Sequence, residues 1–403
     1  MNKPEIKKNI AENLSGLFNE SFIPQDALKI IENFDQIVQG VRPLNSKQMQ
    51  LLPENIKALS HQMTDERSTR RLGYMNENVQ LSAYVRYYSW WNLVRLTRLF
   101  SNLPESSFIN KDGICLDLGS GPLSVVTALF LARPEMRKLK LTWYCLDVSL
   151  NSLSLGEDIF LSVNAKLNEE TNWKIIRVKG SFGTMIKQKA DFITCANMLN
   201  ELDQSNKMPP EYQTKKYFDQ LKIYASENCN FLLIEPGFPK AARTLSLLRQ
   251  RFINDGYFLN APCPHYFECP MNGFKAYTGS SNKWCNFAFS TESAPKKLQI
   301  LSDKAKLPKE RATLSFISVV SKTQDEVQNK NRLLLRICSD GFRLPEHKTG
   351  FYACSKLGLT LVTAKNPQKM NLCSGALIST QLLRPEDKLE IDKKSNAKIV
   401  PLD

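Results

Sequence analysis

A chain of 403 residues with 42% hydrophobic and 23% charged side chains is long enough for two or three domains around a large core. It offers no run of about 20 apolar residues for a membrane span, and Met1-Asn-Lys-Pro-Glu-Ile-Lys-Lys8 is not followed by the apolar stretch of a secretory signal. Lys and Arg number 54 against 40 Asp and Glu, a surplus of +14 that favours a polyanionic partner, nucleic acid first. Ten cysteines without such a signal imply a reducing compartment, where thiols serve as core residues, catalysts or metal ligands.

Residues 1–105 read as a helical region. Leu14, Leu17 and Phe18 share a face, and Ala83 to Phe100 has neither Pro nor Gly. That stretch interleaves Tyr84, Tyr87, Tyr88, Trp90 and Trp91 with Arg86, Arg95 and Arg98. Such a mixture can stack on bases and pair with phosphates. The preferred reading is an amphipathic helix packed on the next domain. Arg67, Arg70 and Arg71 form a charged loop available to phosphate.

From Asp112 apolar runs alternate with helical segments. Strands are predicted at 113–118, 141–147, 173–178, 191–196 and 230–235, with helices at 122–133, 150–163, 211–226 and 239–255. This alternation gives an α/β core over 106–256, a parallel sheet with helices on both faces. Residues 257–325 hold a cysteine-rich insertion and a strand, 312–321, that returns to the sheet. Short strands at 333–338 and 358–363 place a small β-rich region over 326–384. Residues 385–403 read as a flexible tail.

Ile114-Cys-Leu-Asp117-Leu-Gly119-Ser120-Gly121 is a strand running into a glycine turn that opens a helix. Glycines let the backbone approach a ligand, and the helix start offers free N–H groups. The run resembles motif I of class I (Rossmann-like) S-adenosylmethionine-dependent methyltransferases. A nicotinamide site would want a third glycine where Ser124 stands. The resemblance implies cofactor contacts from Asp117, Gly119, Ser120 and Gly121. Asp147, at the end of the second strand, suits the ribose hydroxyls or a helix N-cap. Ser181 and Phe182, after the third strand, stand where methyltransferases cover the adenine. After the fourth strand, Asn197 and Glu201 are the candidates for cofactor and acceptor handling. No Asn-Pro-Pro-Tyr run is present, and Cys195 reads as a core thiol, like Cys115 and Cys145.

Cys263 and Cys269 lie six positions apart, and Cys285 follows after fifteen residues. Structural zinc favours closer pairs. Iron–sulfur clusters accept wider spacing and often a proline after a ligand cysteine. The fourth ligand is open among Cys338, Cys354, Cys373 and His265. The basic run Lys296, Lys297, Lys304, Lys306, Lys309 and Arg311 is a candidate phosphate track or a solvated helix face.

Glu235-Pro-Gly237, Pro262-Cys-Pro-His265, Cys269-Pro270 and Trp284-Cys285-Asn-Phe287 together resemble the methyltransferase-like small-ribosomal-subunit proteins. Asp117–Gly121, Leu199–Leu202 and Arg336–Gly341 fit the same pattern, over roughly residues 70–365. The resemblance implies a 4Fe–4S cluster (zinc being the alternative) on Cys263, Cys269, Cys285 and Cys338, with Cys354 in reserve. It implies a protein that binds S-adenosylmethionine and rRNA and acts on the small ribosomal subunit as an rRNA methyltransferase. The alternative is a non-catalytic assembly or translation factor whose pocket and cluster stabilise an RNA-binding surface. A monomer is expected, away from membranes. It is read as cytoplasmic in a bacterial member and mitochondrial in a eukaryote.

Overall fold

The computed structural model describes residues 11–64, 74–169, 171–202, 208–274, 283–321, 332–382 and 385–402. Arg67, Arg70 and Arg71 lie outside them. The described residues open with a strand rather than a helix, β1 (Glu12–Ser15). Helices α1 (Gln25–Glu32), α2 (Phe34–Val41), α3 (Ser46–Thr64), α4 (Asn78–Tyr84) and α5 (Trp90–Asn102) follow. Between α4 and α5 the chain makes one π-helical stretch, Val85–Ser89. Most aromatics of this region are core. Trp90 donates its indole N–H to the Ile31 carbonyl at 2.7 Å, and Trp91 donates to Ser302 Oγ at 3.2 Å. Arg86 donates to the Arg42 carbonyl, and Arg98 pairs with Glu20 at 3.1 Å. These two arginines therefore hold the helices together.

The central sheet uses β2 (Gly113–Leu118), β3 (Leu141–Asp147), β4 (Lys174–Lys179), β5 (Ala190–Ala196), β6 (Ala225–Glu235), β7 (Phe258–Ala261) and β9 (Arg311–Val320), in the order β4-β3-β2-β5-β6-β9-β7. The first five run parallel, and β9 and β7 are antiparallel additions. Strands covered on both faces need apolar runs without alternation, which is what Ile114–Leu118 and Phe231–Ile234 supply. Helices α6 (Ser124–Ala132) and α7 (Leu150–Leu167) connect the first strands, and α8 (Pro210–Tyr224) and α9 (Pro239–Asn254) connect the later ones. One core cluster joins the helical region to α6 and α7, and a second lies under α8 and α9. The order turns back between β2 and β5. That is the switch point at which doubly wound sheets leave a crevice beyond the strands' carboxyl ends. Among the described residues no helix is long and apolar enough to cross a membrane.

The cysteine-bearing segment is more regular than its sequence suggests. It contains β7, β8 (Phe287–Ser290, paired to β9) and α10 (Lys296–Lys304). The C-terminal region is a second sheet of β10 (Leu333–Ile337), β11 (Phe342–Arg343), β12 (Thr349–Ser355), β13 (Gly358–Ala364), β14 (Leu377–Thr380), β15 (Lys398–Pro401) and β1, with a core of its own. The expected tail thus ends in a strand. Val400 and Leu402 are buried, and β15 pairs parallel to β13. The short apolar run Ile399–Leu402 contains a proline and follows a polar stretch, which made this strand hard to see.

Candidate functional site

The crevice at the switch point is a cleft lined by Gly119, Ser120, Gly121, Asp147, Ser181, Phe182, Asn197 and Glu201. Gly119 and Gly121 both hold positive φ, +66° and +49°. A β-carbon on Gly119 would stand 2.7 Å from the Met198 side chain, so the turn there is closed to other residues. The next position of the turn, Leu123, also sits in the left-handed region at φ 55°, and no side chain caps α6. The first amides of α6 are left to a ligand, and Ser124 and Val125 line the cleft.

Asp147 is buried and accepts from Gly121 N–H at 2.9 Å and from Ser149 N–H at 2.8 Å. It braces the turn, while the helix cap of α7 falls to Ser149, whose hydroxyl accepts from Ser152 N–H. A carboxylate has about four lone-pair positions, so capacity remains for hydroxyls of a ligand. Phe182 stands edge-on to Tyr217 with centroids 5.9 Å apart, forming the wall beyond β4.

Asp117 is placed differently. It is fully buried under the turn, accepts from Thr194 Oγ1 at 2.7 Å and does not line the cleft. Its second carboxylate oxygen has no partner, and burial pushes its pKa up to about 7. Asn197 also holds positive φ, and its Oδ1 accepts from Arg95 Nη2 at 3.0 Å.

Sequence reasoning missed Glu235 as a site residue. Fully buried at the end of β6, it accepts from Leu199 N–H, Asn200 N–H and Asn200 Nδ2 at 2.9, 3.2 and 2.7 Å. It fixes the turn that presents Asn197 and Glu201, and burial raises its pKa to about 7. The signal was there: an acid closing an apolar strand whose neighbours end at a ligand crevice.

A thiol-lined cavity gathers Cys263, Cys269, Cys285, Cys338, Cys354 and His265 from four separate segments. Cys373 is not among its walls. Two buried arginines stitch it together. Arg249 of α9 donates to Cys263 Sγ at 3.2 Å and to the His265 carbonyl at 2.7 Å. Arg336 of β10 donates to the Pro262 carbonyl at 2.9 Å. His265 Nε2 lies 3.0 Å from Cys354 Sγ. A hydrogen bond from Cys338 holds the Cys285 thiol below its ordinary pKa, whereas burial pushes Cys269 up to about 12. Among the described residues no three His, Cys, Asp or Glu side chains are placed to hold a metal ion. The donor chemistry nevertheless fits a thiolate-held group: five thiols and an imidazole line one cavity with two arginines and, among the described residues, no carboxylate.

Of the basic run, Lys296, Lys297 and Lys304 lie on α10, and Lys306, Lys309 and Arg311 follow it. All six are exposed. Lys297 pairs with Asp35 at 2.9 Å and Arg311 with Asp340 at 2.6 Å, so two of the six are already partnered within the chain.

The model of the family described as mitochondrial small ribosomal subunit Rsm22 matches residues 92–341, from α5 to just past Cys338. No curated protein matches the chain. Solved structures that resemble it include a methyltransferase from Pyrococcus furiosus (11% identity, 54% of this chain and 79% of that one, TM-score 0.30). Another is the plantazolicin methyltransferase BpumL in complex with SAH (10%, 69% and 98%, TM-score 0.31). A third is a ribosomal protein L11 methylase from Lactobacillus delbrueckii subsp. bulgaricus (14%, 43% and 70%, TM-score 0.27). Likenesses this remote carry no argument about chemistry.

Proposed function

The chain belongs to the family of the mitochondrial small ribosomal subunit protein Rsm22, and on that premise we propose that it binds S-adenosylmethionine and rRNA, carries a 4Fe–4S cluster and methylates RNA of the small ribosomal subunit. The observation that carries this reading is the cleft at the switch point, with its glycine turn, uncapped helix start and Asp147. Asp147 receives the ribose hydroxyls, Ser181 and Phe182 flank the adenine, and the amides of α6 meet the cofactor's carboxylate. When bound, S-adenosylmethionine supplies a methyl on a sulfonium centre, so that the acceptor's lone pair takes the carbon while the carbon–sulfur pair stays on sulfur. Asn197 and Glu201 close the acceptor end of the cleft, and Glu201 receives the proton the acceptor sheds. Positioning supplies most of the acceleration.

Cys263, Cys269, Cys285 and Cys338 hold the cluster, with Cys354 beside His265 as the fifth thiol of the cavity. Arg249 and Arg336 offset its negative charge. The family's description is mitochondrial, which supports the mitochondrial alternative for localisation. One observation favours the non-catalytic reading: Asn197 and Asn200 are both engaged, with Arg95 and with Glu235. Radiolabelled methyl transfer to small-subunit RNA, run beside calorimetric titration of S-adenosylhomocysteine, decides between the two. Binding with turnover supports the enzyme, and binding without turnover on any small-subunit particle supports the assembly factor. No binding at all would sink the cofactor reading.

A further inference from the structure

A second cavity, of about 330 Å³, adjoins the cleft and shares Tyr84, Asn92, Asn197 and Glu201 with it. Its walls come from the helical region, the turn after β5 and the start of β9. Of the helical wall, Tyr88 lies in the π-helical stretch, with Tyr84 just before it and Trp91, Asn92 and Arg95 just after it on α5, and such a stretch changes which side chains face one way and recurs at functional sites. Tyr84 and Tyr88 stack there with centroids 5.4 Å apart. Trp91 lies beside them, and the Lys309 ammonium sits 5.0 Å from a Trp91 ring centre. Lys309 is an exposed residue, and desolvation by the surrounding protein atoms, with Arg95 nearby, lowers its pKa to about 8. Among the described residues no carboxylate lies within ion-pair distance of it, whereas Arg311 on the same cavity has Asp340.

We propose that this second cavity is the acceptor pocket and takes one extruded nucleotide of an RNA strand, the base against Tyr84 and Tyr88 and the phosphate at Lys309. This rests on the methyltransferase reading and deepens it. An enzyme that modifies a base must first remove it from its stack, and a pocket of stacked aromatics repays that cost with any base. A lysine beside a second cation and without a carboxylate partner is stabilised by an anion, and a phosphate is the one an extruded nucleotide brings. Glu201, on the same cavity, places a carboxylate at the edge of the base. Each wall then has one task, and the opening shared with the cleft lies at Asn197 and Glu201, where the methyl must pass.

The test uses the full chain, a fluorescently labelled single-stranded 12-mer of small-subunit rRNA sequence and S-adenosylhomocysteine. Tyr88→Ala and Lys309→Gln are expected to weaken the RNA about tenfold each. Affinity for S-adenosylhomocysteine stays within error of wild type, and Lys309→Arg restores RNA binding. Lys166→Gln, a surface control on α7 that lines neither cavity, changes RNA affinity less than twofold. If both pocket variants behave like the control while wild type still binds RNA and cofactor, the pocket assignment is overturned and the broader function stands. Methyl transfer to a ribosomal protein instead of RNA also overturns it. A wild-type chain that binds neither probe fails the functional reading itself. Should Tyr88→Ala not fold, Lys309→Gln carries the same decision.

Discussion

The cofactor cleft and the thiol cavity are built by opposite means. The cleft is made where regular elements end: β2 runs into its glycine turn, β3 ends at Asp147, and β6 ends at Glu235. Its parts are held by the sheet whether or not a ligand is present. The thiol cavity takes its side chains from the loop after β7, the segments around Cys269 and Cys285, and the second sheet. Two arginines and a handful of backbone contacts join these pieces. A site of the first kind loses its ligand when altered and keeps its fold, whereas a site of the second kind holds its fold partly through its ligand.

The hardest test of that contrast is the double change Cys263→Ala and Cys269→Ala. On the proposed cluster it is expected to bring bound iron to background and lower the thermal midpoint by about 10 °C or more, because a metal held by loop ligands contributes folding energy. Iron and sulfide assays with calorimetry on anaerobically purified protein would check it, and an unchanged midpoint would erase the distinction. Next in size, Gly119→Val puts a side chain onto Met198 in a backbone region it does not favour. Cofactor affinity should fall at least about a hundredfold, with a drop of only a few degrees in the melting curve.

A smaller effect comes from pH. Asp117 and Glu235 are both raised to about 7 by burial. The folded state therefore holds protons that the unfolded chain releases near pH 4. The stability this contributes is complete below that point and is lost as pH rises through about 7, on the order of 1–3 kcal/mol per group. Melting between pH 5 and 8 should show the fall in wild type, and the pair Asp117→Asn with Glu235→Gln should flatten it. Smallest of all, Lys297→Gln breaks an exposed pair with Asp35 and should alter stability by less than about 0.5 kcal/mol.

The same contrast explains what could be read in advance. Gly113–Leu118 and Leu141–Asp147 were legible to the residue, because buried parallel strands write continuous apolar runs. The cysteines announced themselves by type and proline context, and all four expected ligands line one cavity. Asp117 was legible as an acid but not as a buried one. Only the register of β2 against β5 reveals that it faces Thr194 beneath the turn. Arg95 and Lys309 could not be assigned together, since 214 positions separate them and only the folded chain brings both to one cavity. Strands β1 and β15 are short and poorly patterned, and pairing with a distant partner decides them.

Those two strands form opposite edges of the second sheet, one from each end of the chain. Asn13 donates to the Met370 carbonyl across 357 positions of sequence. In kinetic terms this is a closure with very high contact order, slow to find and late to form. The same sheet carries Cys338 and Cys354. During synthesis the nucleotide cleft can be folded while the thiol cavity still lacks two of its walls. The thiol site is then completed later than the cleft.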